Sequence, residues 1–381
     1  MPKDVPQARA LFIASEVYRA ANHGRRHPLA IPRVTLAMDL CRALGWLDGE
    51  SFIDSPMAGE ADLARFHDPL YIAAVRAAER DGDLPEGAKH RHHIGTNGNP
   101  IFDGMFRRPA TACGGGLLAA RLLMADRARA IHAPGGGQHH GRPDRASGFC
   151  YFNEPALTIL GLLEHGAARV AYVDIDAHHG DGVQDAFADD PRVLTVSIHE
   201  AGRWPMAKNA AGPGSAADRA GGAARNLPVP PGLNDDELDY LIQAAVLPLL
   251  AEFEPDAVYL QAGADALADD PQSKLALSNG AIWRAVAALR HAAPRLLVTG
   301  GGGYNPYAVG RCWAGIWATL SGRAIPAKLP PEAEGCLRDV VWHHRLGRGA
   351  PDHWFTTLAD PPLLGPVRDE IKTLARTTLE P

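Results

Sequence analysis

The chain has 381 residues, 46% of them hydrophobic, and a formal charge of −6. That supports a sizeable core within one large α/β domain and gives no basic signature for nucleic acid. No apolar run reaches membrane-span length, no signal-peptide pattern opens the chain, and the five cysteines stand singly with no CxxC pair; this disfavours a disulfide framework or a thiolate zinc site and suits a reduced, cytoplasmic setting.

In chain order, Thr111–Ala125 is predicted as a helix rich in Ala and Leu, and the apolar run Ala130–Ala133 as a strand. A second helix is predicted over Asn153–His165, with Asn153 as its cap and Glu154 and Pro155 in its first turn. Val170–Ile175 and Val193–Ile198 read as strands. The Gly-, Ala- and Pro-rich stretch Ala201–Arg225 reads as a long surface loop, an expected wall of the site. A helix over Asp235–Phe253 opens on acidic residues that suit its N-terminus. A strand over Ala257–Gln261, a helix over Asn279–Ala292, a strand over Leu296–Thr299 and a helix over Tyr307–Leu320 follow. Strands alternating with helices imply a single, largely parallel sheet covered by helices on both faces, with ligands bound beyond the carboxyl ends of the strands. The Pro-rich tail is expected to wrap this core.

Four polar motifs fall at or near such ends. The first, Asp174-Ile-Asp176-Ala-His178, followed by His179 and Asp181, closes an apolar run. So many ionisable groups at the end of a buried strand are costly unless something compensates their charge, and a divalent ion is the simplest compensator. Asp176 and His178 are oxygen and nitrogen donors that suit zinc or a related ion. The bland alternative is a solvated acidic loop, which the dense His content and the apolar run argue against. The second motif ends Ala257–Gln261 and brings Asp265, the natural third ligand, although Asp in such a place also serves as a cap.

The third motif is Gly135-Gly-Gly-Gln-His139-His140-Gly141. Tandem imidazoles behind a glycine loop suit general acid–base work, and each needs an orienting partner; Asp174 and Asp181 are spare carboxylates for that task. His92 and His93, in a charged segment, read instead as exposed loop histidines. The fourth motif is Gly300-Gly-Gly-Gly-Tyr304, where Tyr304 offers a hydroxyl to a polarised carbonyl. A phosphate loop competes weakly there, because no Lys-Ser/Thr follows.

Together the segments GGGQHHG (135–141), GFCYFNE (148–154), DIDAHHGDGVQDAF (174–187), QAGADAL (261–267) and GGGGYNPYAVGRCW (300–313) resemble the zinc-dependent histone deacetylase superfamily, in its class I-like branch with the bacterial acetoin-utilisation-type deacetylases. Weaker matches run from His27 and Pro28 to Arg33, and through Phe66, His67 and Asp68. The resemblance implies one domain over 1–381 with the arginase/deacetylase-like architecture, a core over about 10–325 and a wrapping tail over about 326–381. It implies one Zn2+ per chain, with Fe2+ or Co2+ able to occupy the same ligands Asp176, His178 and Asp265. His139 and His140 would be the catalytic pair, oriented by Asp174 and Asp181, with Tyr304 as the oxyanion donor. Gly148, Phe149 and Gly302 would line the acyl-lysine tunnel, Trp204 would supply a facing aromatic wall, and Arg33 would flank an internal acetate-release channel. A structural K+ would use Asp174, Asp176, His178, Ser197 and Ile198, and a second monovalent site would lie at Phe187, Asp190 and Val193. The implied reaction removes acetyl or another short acyl group from lysine in a peptide or protein, or from a small amine, without contacting nucleic acid or membrane. The sequence leaves the oligomeric state open, a homo-oligomer included.

Two stretches depart from the branch's usual pattern. Asn97 and Gly98 stand where members usually carry an acidic pair on the rim, so a clamp on a peptide backbone is in doubt and acetylated polyamines enter as substrates. The stretch Trp204-Pro-Met-Ala-Lys also replaces the usual aromatic-Pro-Gly-Thr-Gly run. A two-metal manganese ureohydrolase fits less well, because Gly180 and Leu267 stand where further carboxylates would be needed. A non-catalytic acyl-lysine-binding module is disfavoured because Tyr304 and all three candidate ligands are present.

Overall fold

The computed structural model describes residues 10–20, 23–24, 27–206 and 212–380. Eight strands form one sheet: β1 (Leu11–Ala14), β2 (Phe52–Asp54), β3 (Ala130–Ala133), β4 (Val170–Asp174), β5 (Val193–Glu200), β6 (Ala224–Val229), β7 (Ala257–Gln261) and β8 (Leu296–Thr299). Their order is β2-β1-β3-β8-β7-β4-β5-β6, and every pairing is parallel.

The central strands are apolar along their length because helices cover both faces. Alternation divides their side chains between two cores: Ala171 and Val173 point into one, Val170 and Tyr172 into the other. Register then aligns the strand ends. Asp174 pairs with Gln261, Gln261 with Thr299, and Thr299 with Ala133. This row runs across β4, β7, β8 and β3, so the chain leaving each of these four neighbours begins one of the four polar motifs.

All five expected strands are present. Three more were not foreseen. β1 and β2 are short, and β6 lies partly inside the stretch read as a loop. It carries Asn226 and Pro228, poor strand formers, and tolerates the proline because it is an edge strand paired only with β5. Residues 207–211 of that expected loop, with part of its departing motif, lie outside the described residues.

The predicted helix over Thr111–Ala125 begins earlier and runs Arg107–Met124 straight through Gly114–Gly116. A Cβ at Gly114 would lie 2.1 Å from the Pro56 carbonyl oxygen, and one at Gly116 would lie 1.9 Å from Thr158 Oγ1, so these glycines allow close helix packing. The helix expected over Asp235–Phe253 is interrupted by a π turn at Ile242–Val246. Pro248 stands two residues beyond it, and its ring cannot sit against the carbonyl four residues back. The expected Asn279–Ala292 helix stops at Leu289.

The tail crosses the core through buried polar contacts. The fully buried Arg311 guanidinium donates to the Thr357 carbonyl (3.0 Å) and pairs with Asp360. Arg368 pairs with buried Glu237 at 2.6 Å.

Candidate active site

Asp176 and His178 follow β4 directly. Asp265 sits in a single 3-10 turn after β7, Ala264–Ala266. One donor atom from each lies within 4.8 Å of the other two. The two carboxylates are fully buried, whereas the His178 side chain keeps 13% exposure and so faces an opening. His178 Nδ1 lies 2.8 Å from Asp265 Oδ2 and 3.3 Å from Asp176 Oδ1. Burial alone would lower its pKa, but the two carboxylates outweigh that and raise it to about 10. A spot this electronegative favours a cation. Two carboxylate oxygens and one imidazole nitrogen, with one side open, match a catalytic divalent-ion site.

The remaining lone pairs of these ligands are engaged by backbone. Asp176 accepts from the Gly302 N–H (2.6 Å) and the His178 N–H (3.0 Å), and Asp265 accepts from the Ala177 N–H (3.0 Å). Such contacts fix ligand orientation. They also explain the glycine loop after β8. A Cβ at Gly302 would lie 2.0 Å from Asp265 Oδ2.

The tandem histidines lie alongside. His139 Nδ1 is 2.7 Å from Asp174 Oδ2, and His140 Nδ1 is 2.7 Å from Asp181 Oδ1. Their Nε2 atoms are 2.9 Å apart, so the pair accommodates one proton between those atoms. Burial opposes charge on both rings. At His139 the carboxylates of Asp174 and Asp176 prevail and raise the pKa to about 9; at His140 burial and the neighbouring imidazole hold it down to about 3. Two adjacent imidazoles with opposed proton affinities are suited to separate acid and base roles.

Tyr304 lines the same space. Its hydroxyl has no hydrogen-bond partner among the described residues, and burial followed by the charges of Asp265 and Asp176 raises its pKa well above the usual phenol value. It is therefore a protonated donor. Its backbone is held by Asp270, whose carboxylate accepts from the Tyr304 N–H at 2.6 Å.

Two cavities meet at these residues. The outer one, about 860 Å³, reaches His140, His178 and Tyr304 between Phe149 and Trp204. Trp204 is exposed and packs edge-on against His140, with ring centroids 4.7 Å apart. Gly148 must be glycine here, since a Cβ would meet Trp204 at 2.4 Å and its φ is +53°. The inner cavity, about 80 Å³, is bordered by Arg33, which donates to the Gly301 carbonyl at 2.8 Å. His93 borders the outer cavity and is exposed. His92 corrects the sequence reading: it is buried, with Nδ1 2.6 Å from the Asp144 carbonyl oxygen. Asn97 is exposed in the rim turn, whose next polar residue, Asn99, accepts from the Phe149 N–H.

The residues expected to hold monovalent ions are placed as follows. Asp174 and Ser197 are neighbours in the β4–β5 register, and Ser197 Oγ lies 2.8 Å from His199 Nδ1. Phe187, Asp190 and Val193 form consecutive turns, with the Asp190 carboxylate bound by Arg192 at 2.9 and 2.7 Å.

Four supporting residues escaped the sequence reading. Tyr172 donates to Asp174 at 2.6 Å and Gln261 lies 2.7 Å from His139 Nδ1; the first belongs to a predicted strand and the second opens a quoted segment, with no sign of a polar task. Glu154, taken for a first-turn acid, is fully buried and accepts from the Gly137 N–H (2.8 Å) and the Tyr259 hydroxyl (2.6 Å). Asp270 carried no periodic signal.

Residues 27–320 match the family described as the histone deacetylase domain. The chain belongs to the histone deacetylase family. It is 34% identical to the acetoin utilization protein AcuC of Bacillus subtilis (strain 168), over 91% of this chain and 89% of that protein. It is 33% identical to histone deacetylase 8 of Xenopus tropicalis, over 78% of this chain and 80% of that one. The crystal structure of a histone deacetylase homologue from Aquifex aeolicus superimposes with a TM-score of 0.90 at 34% identity, covering 97% of this chain and 99% of that one. A homologue complexed with SAHA gives the same values. Membership in the histone deacetylase family accounts for the all-parallel sheet and its helical layers. Among the described residues, Asp176, His178 and Asp265 are the one metal-capable group of three, and no helix is long and apolar enough to cross a membrane.

Proposed function

We propose that this histone deacetylase family member is a one-metal amide hydrolase that removes acetyl groups from acylated lysine or amines and releases acetate. The observation that carries the reading is the convergence of Asp176, His178 and Asp265 beside a carboxylate-oriented His pair and a partnerless tyrosine hydroxyl.

In this reading Asp176, His178 and Asp265 hold zinc, or Fe2+ or Co2+ on the same ligands. When bound, the ion lowers the pKa of a coordinated water and polarises the amide carbonyl. The acyl-amine enters between Phe149 and Trp204. His140 is neutral and accepts a proton from the attacking water at Nε2; Asp181 accepts from its Nδ1–H and fixes that tautomer. Tyr304 donates its hydroxyl proton in a hydrogen bond to the carbonyl oxygen as charge develops there. His139, held protonated by Asp174 and Asp176, steadies the charge that builds up beside it, and His140, once it has taken the water's proton, supplies a proton to the leaving amine. Arg33 beside the inner cavity suits a carboxylate product.

K+ near Asp174, Asp176, His178, Ser197 and Ile198 belongs to the same reading, as does a second ion on the carbonyls around Phe187, Asp190 and Val193. The tail from about 326 acts as an integral strap of the one domain. A cytoplasmic setting is consistent with five unpaired cysteines.

Acetate release from an Nε-acetyl-lysine peptide, with and without a chelator, tests the reading. Turnover that the chelator removes and zinc restores is expected. Turnover indifferent to the chelator, or its absence in protein loaded with each of the three ions, would contradict it.

A further inference from the structure

The outer cavity has a charge arrangement that speaks to what surrounds the acyl group. Among its described lining residues the one carboxylate is Glu200. That carboxylate is spent: it is only 4% exposed, accepts from Arg203 Nε (2.5 Å) and the second terminal nitrogen (2.8 Å), and accepts from the Lys274 backbone N–H (2.8 Å). The rim turn adds only neutral Gly98 and Asn99. Lys274 differs. Its side chain is exposed, and its ammonium has no carboxylate partner among the described residues. Its backbone is held from both sides, by the contact to Glu200 and by the Gly232 N–H donating to its carbonyl at 2.7 Å. The same segment is tied to the site, since Ser273 Oγ donates to the Asp265 carbonyl at 2.5 Å. A cation is thus presented from a fixed point at the mouth of the acyl channel.

Resting on the deacetylase reading, we infer that Lys274 selects acyl-lysine peptides that carry an acidic side chain beside the acylated residue, and that acylated polyamines are poor substrates. A polyamine would bring its ammonium groups against Lys274, and Glu200 could receive them only by giving up Arg203. A flanking Asp or Glu meets an unpartnered cation instead. Because the pair forms at a solvent-exposed rim, its effect is modest and salt-sensitive.

The test is a set of matched Nε-acetyl-lysine peptides that differ only in flanking Glu, Gln or Lys, with an N-acetylated polyamine alongside, assayed on the zinc-loaded full chain. The expected kcat/KM ratio of Glu-flanked to Lys-flanked peptide is about fivefold at low ionic strength, with the polyamine below all three peptides. Lys274→Gln should flatten the ratio, Lys274→Glu should invert it, and Lys274→Arg should keep it. Equal rates across the flanks, an acid preference surviving in Lys274→Glu, or a preferred polyamine would overturn the inference. Chelator-sensitive turnover of the Gln-flanked peptide by the wild type reports on the deacetylase reading separately. Full turnover there with no flank effect removes the inference alone.

Discussion

Asp176→Asn is expected to bind divalent metal at least on the order of 100-fold more weakly than the parent chain and to lose amide hydrolysis at ordinary metal concentrations, since even partners one shell removed from a metal are worth 10- to 100-fold. The argument is one of charge and of lone pairs. Asp176 is one of two buried carboxylates beside His178, and on the one-metal reading it would supply half of the carboxylate charge that compensates the ion. It also accepts from two backbone donors, the N–H groups of Gly302 and His178. An amide has the carboxylate's shape but only one accepting oxygen, so its NH2 must face one of those donors. That mismatch costs about 1–3 kcal/mol of stability, which a large, well-packed domain tolerates. Metal content after dialysis, read beside circular dichroism, checks both halves. A folded variant that retains metal at the parent affinity would remove Asp176 from the ligand set.

Tyr304→Phe should fold as the parent does, bind metal normally, and lose about 100- to 1,000-fold in kcat, in line with the removal of a single oxyanion donor. Folding is spared because the Tyr304 hydroxyl has no partner among the described residues, so nothing is left unsatisfied when it goes. The ring remains to pack against Phe149, with centroids 5.9 Å apart, and the backbone anchor to Asp270 is untouched. The loss should fall on kcat more than on KM, because the donor acts where charge develops in the transition state. Steady-state kinetics on one acetyl-lysine peptide, with metal content confirmed, measure this. Near-parental turnover would take the oxyanion role away from Tyr304.

Much of this site could be read from the chain because its chemistry sits immediately after buried strands. Val170–Asp174 and Ala257–Gln261 announce themselves by composition, and parallel pairing then leaves little freedom in where Asp176, His178 and Asp265 come together. The glycine runs at 135–137 and 300–303 also mark, in the sequence itself, loops whose backbone can pass close to other groups. Other features depended on packing that no local pattern encodes. Edge strand β6, with Asn226 and Pro228, is held by its pairing to β5 rather than by propensity. Glu154 looked like a helix-start acid because the first turn favours one, and only the fold shows it buried beneath the Gly137 loop. His92 looked solvated because its neighbours are charged, yet the Asp144 carbonyl reaches it from 52 residues away.

Titrating zinc into metal-stripped protein while following acetate release from an acetyl-lysine peptide tests the one-metal site most directly. Activity should rise in proportion to added ion and level off at one equivalent per chain, as expected for a single group of two carboxylates and one imidazole. A plateau at two equivalents, or activity that ignores the ion throughout, would contradict it.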